Sequence, residues 1–376
     1  MQTGPVLTAR ERAHKNERVQ TIALLAQAIP AYRQRPFTAL AAALGDGFHV
    51  YAGERSFEVN IQTDISLPGQ LTTIRNRFLF GGRLLWQSGA FHRLATVDVA
   101  ILELNPRILS VWCLLVLRRL RGKRSILWGH AWPRAGRDAS SDRVRHALRR
   151  LADVLLVYTE TQAHELRLRM PQARVYAAPN AIYSSAEIRP ARARGPSSDF
   201  VYVGRLIASK KPALLLDAFR KVRGELPPEC RLVFVGAGPI RQALEETVRG
   251  ADLADAVILA GEAFDRESLE AVYGRAIAAV SPGTVGLSIV QSLSFGVPML
   301  VARDEPHGPE IEAAVEGETA VMFDCDSSDS LARALVEVAA NRERWLERRA
   351  ELADICASRY SIEVMIEGFV RAVRST

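Results

Sequence analysis

The segment that decides the fold is residues 281–300, SPGTVGLSIVQSLSFGVPML. It predicts a buried strand that ends at Ser281, a turn containing Gly286, a helix that begins at Leu287, and a second apolar strand. The first N–H groups of such a helix lack intrahelical partners, and the helix dipole adds positive charge beside them. A diphosphate would bind well there, although helix N-termini at strand ends are common. The segment therefore predicts a strand–helix–strand unit with an anion site beside Gly286.

Short apolar runs alternate with longer amphipathic segments along the chain, as in parallel sheets covered by helices on both faces. A chain of 376 residues exceeds the size of one hydrophobic core, so two domains are expected. The predicted fold is α/β, with two Rossmann-like parallel-sheet domains that face each other across a cleft. The predicted strands are residues 21–27, 48–52, 97–104, 124–129, 154–159 and 174–178 in the first half, and 200–203, 232–235, 256–259, 277–281, 298–302 and 320–323 in the second.

Residues 200–219, FVYVGRLIASKKPALLLDAF, place cations at the end of another strand. Arg205 follows the strand directly, and Lys210 and Lys211 precede an amphipathic helix. Positive side chains at the carboxyl end of a strand would stabilise the negative charge that develops on a departing nucleoside diphosphate. The alternative interpretation is a surface salt bridge.

Together with LVFVGAGP at residues 232–239, these segments resemble the retaining glycosyltransferases of family four, which have the GT-B fold. The resemblance covers the second half of the chain. The donor domain of that family begins with Val-Gly-Arg-Leu and a lysine a few residues later, which here include Gly204, Arg205 and Lys210. The resemblance implies that Arg205 and Lys210 bind the donor diphosphate. It also places Gly236 and Gly238 in the family's glycine-rich turn, where the backbone approaches the nucleotide.

The family's signature is a pair of glutamates eight positions apart around Gly-Leu, and this chain has neither. The aligned positions are Gly283 and Gln291, while Gly286 and Leu287 stay in register. Gln291 can still bind ribose hydroxyls. Glycine at 283 removes a charged acceptor, so we hypothesise that the transferred sugar lacks or differently orients one hydroxyl, as a deoxyhexose would. A non-catalytic nucleotide-sugar-binding relative and a nucleotide-sugar epimerase on the same scaffold remain alternatives.

Two further residues are candidates for contact with the donor sugar. His130 ends a predicted strand at the place where the family commonly has a histidine that reaches the donor sugar, so the resemblance implies a catalytic role. A histidine at a strand end is otherwise more often structural. Glu310 lies where the family has a turn ending in Pro-Glu, and it is predicted either to contact the sugar or to cap the following helix.

The first half of the chain is strongly basic. Residues 1–180 carry 26 Lys and Arg against 13 Asp and Glu, a balance of +13, whereas the remainder has 49 − 26 = 23 against 42 − 13 = 29, or −6. This asymmetry suggests an anionic partner such as a membrane surface, with a solvated basic surface as the alternative. No motif supports nucleic-acid binding. The helix predicted at residues 108–121 ends in several arginines, which favours either anionic lipid or core packing with solvated arginines.

The acceptor site is predicted in the first domain. Residues 30–37, PAYRQRPF, are predicted to form a loop in which Tyr32, Arg33 and Arg35 suit an acidic or phosphorylated acceptor. Asn105, at the end of a predicted strand, is predicted either to line that site or to cap a helix. The domain boundaries follow: residues 1–183 bind the acceptor, 184–198 form a polar, proline-broken linker, 199–356 bind the donor, and a helix near 357–376 packs back on the first domain.

The resemblance implies front-face substitution with retained configuration, in a hexosyltransferase of bacterial cell-surface polysaccharide or glycoconjugate synthesis. No metal is expected, because two cations and a helix end serve the diphosphate and no Cys/His cluster or Asp-x-Asp pair is seen near the site. No cofactor is expected besides the donor substrate. No segment has the length of a membrane span and the first twenty residues lack a secretory pattern, so cytoplasmic residence is expected, with peripheral attachment to the inner face of the membrane left open.

Overall fold

The computed structural model describes residues 20–58, 61–133, 135–192, 195, 197–263 and 265–375. The expectation about the first twenty residues therefore falls almost entirely outside the described residues, as do Ala193, Arg194 and Pro196 of the predicted linker. Among the described residues, no helix combines the length and the apolar character needed to cross a bilayer. The four cysteines are not paired with one another in disulfides.

The first sheet has eight strands in the order β4-β3-β2-β1-β5-β6-β7-β8. Its pairs are parallel where registers are defined, except for the antiparallel pair of β3 and β4. The strands are β1 Ile22–Ala26, β2 Phe48–Gly53, β3 Leu71–Leu79, β4 Leu84–Ser88, β5 Val99–Glu103, β6 Arg124–Gly129, β7 Val154–Val157 and β8 Arg174–Ala177. The helices are α1 Gln34–Leu44, α2 Phe91–Thr96, α3 Leu109–Leu120, α4 Asp142–Arg149 and α5 Glu160–Arg169.

The second sheet has six strands in the order β11-β10-β9-β12-β13-β14, all parallel. The strands are β9 Asp199–Val203, β10 Leu232–Val235, β11 Val257–Gly261, β12 Ala276–Ser281, β13 Met299–Ala302 and β14 Ala320–Phe323. The helices are α6 Pro212–Val222, α7 Arg241–Gly250, α8 Arg266–Tyr273, α9 Leu287–Ser294, α10 Ser328–Ala340, α11 Arg342–Glu347, α12 Arg349–Tyr360 and α13 Ile362–Arg374.

The central strands are buried from end to end, as expected when helices cover both faces of a parallel sheet. Every residue of β10, β12 and β13 is buried, and so is every residue of β1. Separate apolar clusters pack on the two faces of the second sheet, one including Phe200, Phe219 and Phe234 and the other including Tyr273 and Phe295. This rigid sheet fixes the loops at its carboxyl edge, where the candidate site lies.

All the predicted strands are present, with ends within two residues of the predicted ones. Two strands were missed, β3 and β4, which form a hairpin at the edge of the first sheet. The predicted loop at residues 30–37 is wrong, because a short 3-10 helix at Ala31–Arg33 leads directly into α1. The predicted alternation of strands and helices is confirmed.

Several cations at the end of α3 are bonded to other parts of the protein, while Leu120 beside them is 81% exposed. Arg118 is fully buried, and its guanidinium donates to the carbonyl oxygens of Val97 at 3.0 Å and Asp98 at 3.2 Å. Lys123 forms an ion pair with the Asp98 carboxylate at 2.8 Å. Arg124 donates to the carbonyls of Ala372 and Val373 near the C-terminus. These contacts support the alternative of core packing with solvated arginines, except that Arg118 is buried rather than solvated.

The chain divides into two compact units. The first comprises residues 1–129, 138–155 and 372–376, and the second comprises residues 130–137 and 156–371. Residues 372–376 thus belong to the unit that contains most of the first sheet, while the rest of α13 belongs to the other. The predicted domain boundaries stay a prediction.

Candidate functional site

The loop after β9 carries the predicted diphosphate-binding cations. β9 ends at Val203, and the chain continues through Gly204 and Arg205 into a 3-10 helix at Ala208–Lys210. The Tyr202 hydroxyl donates a hydrogen bond to the Arg205 carbonyl at 2.8 Å, which fixes the backbone of the loop. The Arg205 side chain is exposed, and its guanidinium makes no hydrogen bond or ion pair with any described residue.

The Lys210 ammonium lies against the loop that precedes α9. Its Nζ donates to the Thr284 carbonyl at 2.5 Å. Burial lowers the pKa of Lys210, the nearby Arg205 charge lowers it further, and the Glu310 carboxylate opposes that change. A buried ammonium with a second cation beside it and one carboxylate close by favours binding of an additional anion.

The turn before α9 is fixed from a second side by His307. The N–H of Val285 donates to Nδ1 of His307 at 3.0 Å, and the other ring nitrogen lies 2.9 Å from the Ala302 carbonyl. Because Nδ1 accepts a hydrogen bond, Nε2 must carry the proton and the ring is neutral. Burial lowers the pKa of His307, which is consistent with that state. Sequence reasoning missed this role, in which His307 fixes the backbone of the turn two residues before α9 begins.

Gly283 contacts the backbone that carries Lys210. A Cβ atom at this position would lie 2.7 Å from the Ser209 carbonyl oxygen and 3.0 Å from the Lys210 Cα. Both neighbours are backbone atoms, so no change of side-chain rotamer would relieve the clash. Glycine at 283 is therefore required by close packing of two loops, a reason independent of the sugar.

Gly236 and Gly238 have a similar role. A Cβ on Gly236 would overlap the Gly204 carbonyl oxygen, and one on Gly238 would overlap the Leu206 carbonyl oxygen. The N–H of Leu206 also donates to the Ala237 carbonyl at 2.8 Å. The glycine-rich turn thus lets two loops of the protein approach each other, and the approach of its backbone to a nucleotide stays a prediction.

Gln291 lies on the part of α9 that is not fully buried. Leu287, Ser288 and Gln291 are partly exposed, while Ile289 and Val290 are buried. The buried Tyr273 hydroxyl donates to Oε1 of Gln291 at 3.4 Å. This contact orients the Gln291 amide beside the first turn of the helix.

Glu310 is buried in a 3-10 helix at Pro309–Ala313. Its Oε1 accepts a hydrogen bond from the Asn180 amide at 2.6 Å, and its other oxygen lies so close to Gly308 that a Cβ there would overlap it. The Asn180 side chain is therefore paired with this carboxylate. Glu310, Lys210 and the turn before α9 are therefore brought together.

Lys211 does not contact Lys210's partners and is instead held by acidic residues elsewhere. Its ammonium is bound by the carboxylates of Glu305 and Asp326, the latter at 2.6 Å. The Cys325 thiol donates to the same Glu305 oxygen at 2.8 Å, and this contact raises the pKa of the thiol to about 11. The sequence contains an Asp-x-Asp pair here, Asp324 and Asp326, which the prediction of no such pair near the site did not consider. Glu305, Cys325 and Asp326 could approach a metal ion only if Lys211 moved away, because its ammonium already supplies the positive charge.

His130 follows β6 and is exposed, and its ring packs edge-on against Tyr158 with centroids 4.9 Å apart. Gly129 before it has φ 155° and contacts Leu104. The catalytic role of His130 stays a prediction.

The predicted acceptor residues have varied environments. Tyr32 is half exposed, and the Arg33 guanidinium lies 4.9 Å from the centre of the Trp128 ring. Arg35 is exposed on α1. Oδ1 of Asn105 accepts a hydrogen bond from the N–H of Arg107 at 3.1 Å, which stabilises the turn before α3. Acceptor binding by these four residues also stays a prediction.

Glu103 is a buried carboxyl group at the carboxyl end of β5. One oxygen accepts the N–H of Gln27 at 3.0 Å, and the other is buried without a hydrogen bond from any described residue. Burial raises the pKa of Glu103 to about 7. Between the ordinary carboxyl pKa and pH 7 the folded protein keeps a proton that the unfolded chain has lost, so stability falls as pH rises through this range.

Replacing Glu103 by glutamine is expected to increase stability at pH 8 by about 3 kcal/mol and by under about 1 kcal/mol at pH 5. Glutamine keeps the acceptor for Gln27 and removes the buried charge. Denaturant unfolding at both pH values measures the difference. Glu54→Gln, at an exposed position, is the matched control. Equal gains at both pH values would contradict the interpretation.

Comparison with known proteins relates the second half of the chain to a family. Residues 185–354 match the family model described as glycosyl transferases group 1. The sulfoquinovosyl transferase SQD2 of Arabidopsis thaliana is 29% identical over 126 residues, covering 33% of this chain and 23% of that protein. The GDP-mannose-dependent alpha-(1-6)-phosphatidylinositol dimannoside mannosyltransferase of Mycobacterium tuberculosis is 29% identical over 161 residues. This match covers 40% of this chain and 39% of the mycobacterial protein. The matches thus span well under half of these relatives.

Among solved structures, Anabaena HepE in complex with UDP superposes with a TM-score of 0.69 at 13% identity, covering 95% of this chain and all of that one. At this identity the similarity establishes the fold alone. The predicted fold class is confirmed, since both sheets are those of the GT-B fold. Residues 185–354 are therefore similar in sequence to the glycosyl transferases group 1, within a chain that has the GT-B fold.

Proposed function

We propose that the protein is a retaining glycosyltransferase that moves a hexose or deoxyhexose from a nucleotide-diphosphate sugar to a glycan or lipid-linked acceptor. The observation that carries this proposal is the position of Lys210. Its ammonium contacts the turn that leads into α9, with Arg205 beside it. The match of residues 185–354 to group 1 glycosyl transferases supports the same conclusion.

In the proposed reaction, the diphosphate binds Arg205, Lys210 and the first N–H groups of α9. The bond between the anomeric carbon and the diphosphate oxygen breaks, and the acceptor oxygen bonds to that carbon from the same face. The acceptor proton passes to the diphosphate oxygen. The cations and the helix dipole are already in place before the reaction, so they stabilise the leaving group without reorganising. Such preorganised electrostatic stabilisation is usually the largest contribution to catalysis. No metal ion is required in this scheme.

The donor sugar is proposed to lie beside Gly283 and Glu310. Glu310 supplies a buried carboxylate next to Lys210 that could accept hydrogen bonds from sugar hydroxyls. His130 is proposed to reach the same sugar, and Gln291 the ribose. The mycobacterial relative is named for a GDP-mannose donor and a phosphatidylinositol dimannoside acceptor, and Anabaena HepE binds UDP, which supports a nucleotide-sugar donor and a lipid-linked or glycan acceptor here. A role in bacterial cell-surface polysaccharide synthesis fits this chemistry.

The specific observation that favours a second function is the absence of carboxylates at residues 283 and 291. A non-catalytic relative that binds nucleotide sugars would keep Arg205 and Lys210 and dispense with both glutamates. An epimerase on the same scaffold would convert the donor without an acceptor. Transfer of sugar to an added acceptor distinguishes the proposed function from both.

A panel of UDP-, GDP- and TDP-linked hexoses and deoxyhexoses is expected to contain a donor that raises the melting temperature. At about a hundred times its dissociation constant a ligand adds about 2.7 kcal/mol, which corresponds to a shift of about 3 °C for a chain of this length. The stabilising donor is then incubated with and without a sugar acceptor, and products are separated by mass spectrometry. If no nucleotide sugar shifts the melting temperature, or if the donor is only epimerised, the proposed function is wrong.

A further inference from the structure

The β3–β4 hairpin presents a basic and apolar face. Arg75, Arg77 and Leu79 alternate along β3 and are all exposed, so they lie on one face of the strand. Across the ladder, Arg77 lies opposite Trp86 and Leu79 lies opposite Leu84. The face therefore combines arginines with an aromatic and two aliphatic side chains.

The tip of the hairpin exposes a phenylalanine in an unfavourable backbone conformation. Phe80 is 75% exposed and has φ 52°, in the left-handed region that bulky residues rarely adopt. Gly81 and Gly82 follow, both also with positive φ. Asparagine or glycine would adopt this backbone conformation with less strain than phenylalanine. The backbone therefore gives no reason for a phenylalanine at residue 80, and its exposed ring is what distinguishes it there.

The turn is held rigidly by Arg107. Its guanidinium donates to the carbonyls of Arg83 at 2.8 Å and Gly82 at 2.9 Å, and it lies 3.8 Å from the centre of the Phe57 ring. The other face of β3 packs inward, because Phe78 contacts Phe57 edge-on at 5.6 Å. The exposed tip is thus fixed in place rather than collapsed on the protein.

The β3–β4 hairpin itself carries no acidic residue. The exposed guanidiniums of Arg75, Arg77 and Arg83 make no hydrogen bond or ion pair with any described residue. The sequence has no Asp or Glu between Asp64 and Asp98. This differs from the end of α3, where the arginines and the lysine are bonded to the protein.

We propose that the β3–β4 hairpin docks on a membrane surface of anionic phospholipids. Phe80 and Leu79 enter the boundary between headgroups and acyl chains, and Arg75, Arg77 and Arg83 bind lipid phosphates. A strand advances about 3.3 Å per residue, so Arg77 starts about 10 Å behind Phe80, and its long side chain reaches the headgroup layer. Trp86 on the same face suits the interface, where tryptophan is enriched in membrane proteins. This proposal does not depend on the donor.

An apolar tip with cations behind it favours a bilayer over nucleic acid. In a nucleic-acid site the cations would meet the phosphate backbone first, and an aromatic residue would need an unstacked base. A lipid surface instead accepts an apolar wedge below the plane of its phosphates, which is the order of groups along this hairpin.

The test is co-sedimentation of the full-length chain with vesicles of phosphatidylcholine containing 30% phosphatidylglycerol (mole fraction about 0.3), against phosphatidylcholine alone. The variants are Phe80→Asn, which suits a positive φ and should fold, and the triple Arg75→Ala, Arg77→Ala and Arg83→Ala. Matched controls are Leu168→Ser, an exposed leucine on α5, and the triple Arg249→Ala, Arg333→Ala and Arg359→Ala, exposed arginines elsewhere. Circular dichroism confirms that each variant is folded.

The wild-type chain is expected to bind the anionic vesicles and to be released by salt, because exposed charges are screened. Phe80→Asn should weaken binding about tenfold, since the wedge is lost. The hairpin triple should weaken it about a hundredfold, at about fivefold per cation. Both controls should bind within about twofold of wild type.

The proposal is overturned if wild type does not bind anionic vesicles, or if the control triple loses as much affinity as the hairpin triple. It is also overturned if the hairpin variants retain vesicle binding but lose binding to a duplex DNA or RNA probe. Loss of a concentration-dependent dimer in Phe80→Asn, with vesicle binding unchanged, would assign the tip to a second copy of the chain instead.

Discussion

Replacing Arg205 and Lys210 together by alanine is expected to reduce turnover about ten-thousandfold, because each removed charge donor at a developing anion costs about a hundredfold or more. The fold should survive. The Arg205 guanidinium is exposed, and Lys210 contributes one hydrogen bond to the Thr284 carbonyl from a partly buried ammonium. Steady-state kinetics with the identified donor measures the effect, and thermal unfolding measures the stability.

The matched control is the double variant Arg220→Ala and Lys221→Ala. These residues lie near the C-terminal end of α6, the helix that follows Lys210, and carry the same two charges in exposed ion pairs with Asp217 and Asp329. Turnover of this control should stay within about twofold of wild type, since surface pairs contribute little. If both double variants lose turnover equally, general electrostatics rather than contact with the diphosphate explains the loss.

The fold could be predicted because parallel strands covered on both faces form continuous apolar runs. β10, β12 and β13 are such runs, and every one of their residues is buried. The hairpin was missed because β3 exposes Thr72, Arg75 and Arg77 to solvent, and a strand so rich in exposed polar residues resembles a loop. An antiparallel edge hairpin interrupts the alternation of strand and helix on which the prediction relied.

Only the part of the candidate site that local sequence patterns specify could be predicted. Arg205, Lys210 and Gly286 follow strand ends, and the carboxyl ends of parallel strands meet at one edge of a sheet. The pairing of Asn180 with Glu310 and of Lys211 with Glu305 joins residues 130 and 94 positions apart. Such contacts depend on loop geometry that no local pattern encodes. The same limit explains why the arginines of α3 were open to a lipid-facing interpretation.

Restoring the family's first glutamate with Gly283→Glu is expected to lower turnover about a hundredfold rather than raise it. A Cβ at this position would lie 2.7 Å from the Ser209 carbonyl oxygen. The segment that carries Lys210 would have to move, and a misplacement of about 1 Å in a catalytic group can cost about a hundredfold. Overpacking should also cost about 1–3 kcal/mol of stability. Turnover, donor-induced thermal shift and denaturant unfolding measure these effects together.

Gln291→Glu is the matched variant, because it restores the second glutamate without a new Cβ. The Tyr273 hydroxyl can donate to a carboxylate oxygen as it now donates to Oε1 of Gln291. Donor binding should therefore change by less than about tenfold, in either direction, since an existing acceptor is replaced by a stronger one. A rise in turnover for Gly283→Glu would mean that the two loops can separate, and that a missing carboxylate, rather than backbone packing, limits turnover. If Gly283→Glu loses turnover while Gln291→Glu keeps it, the result would instead show that the loop after β9 occupies the space that a glutamate side chain at residue 283 would need.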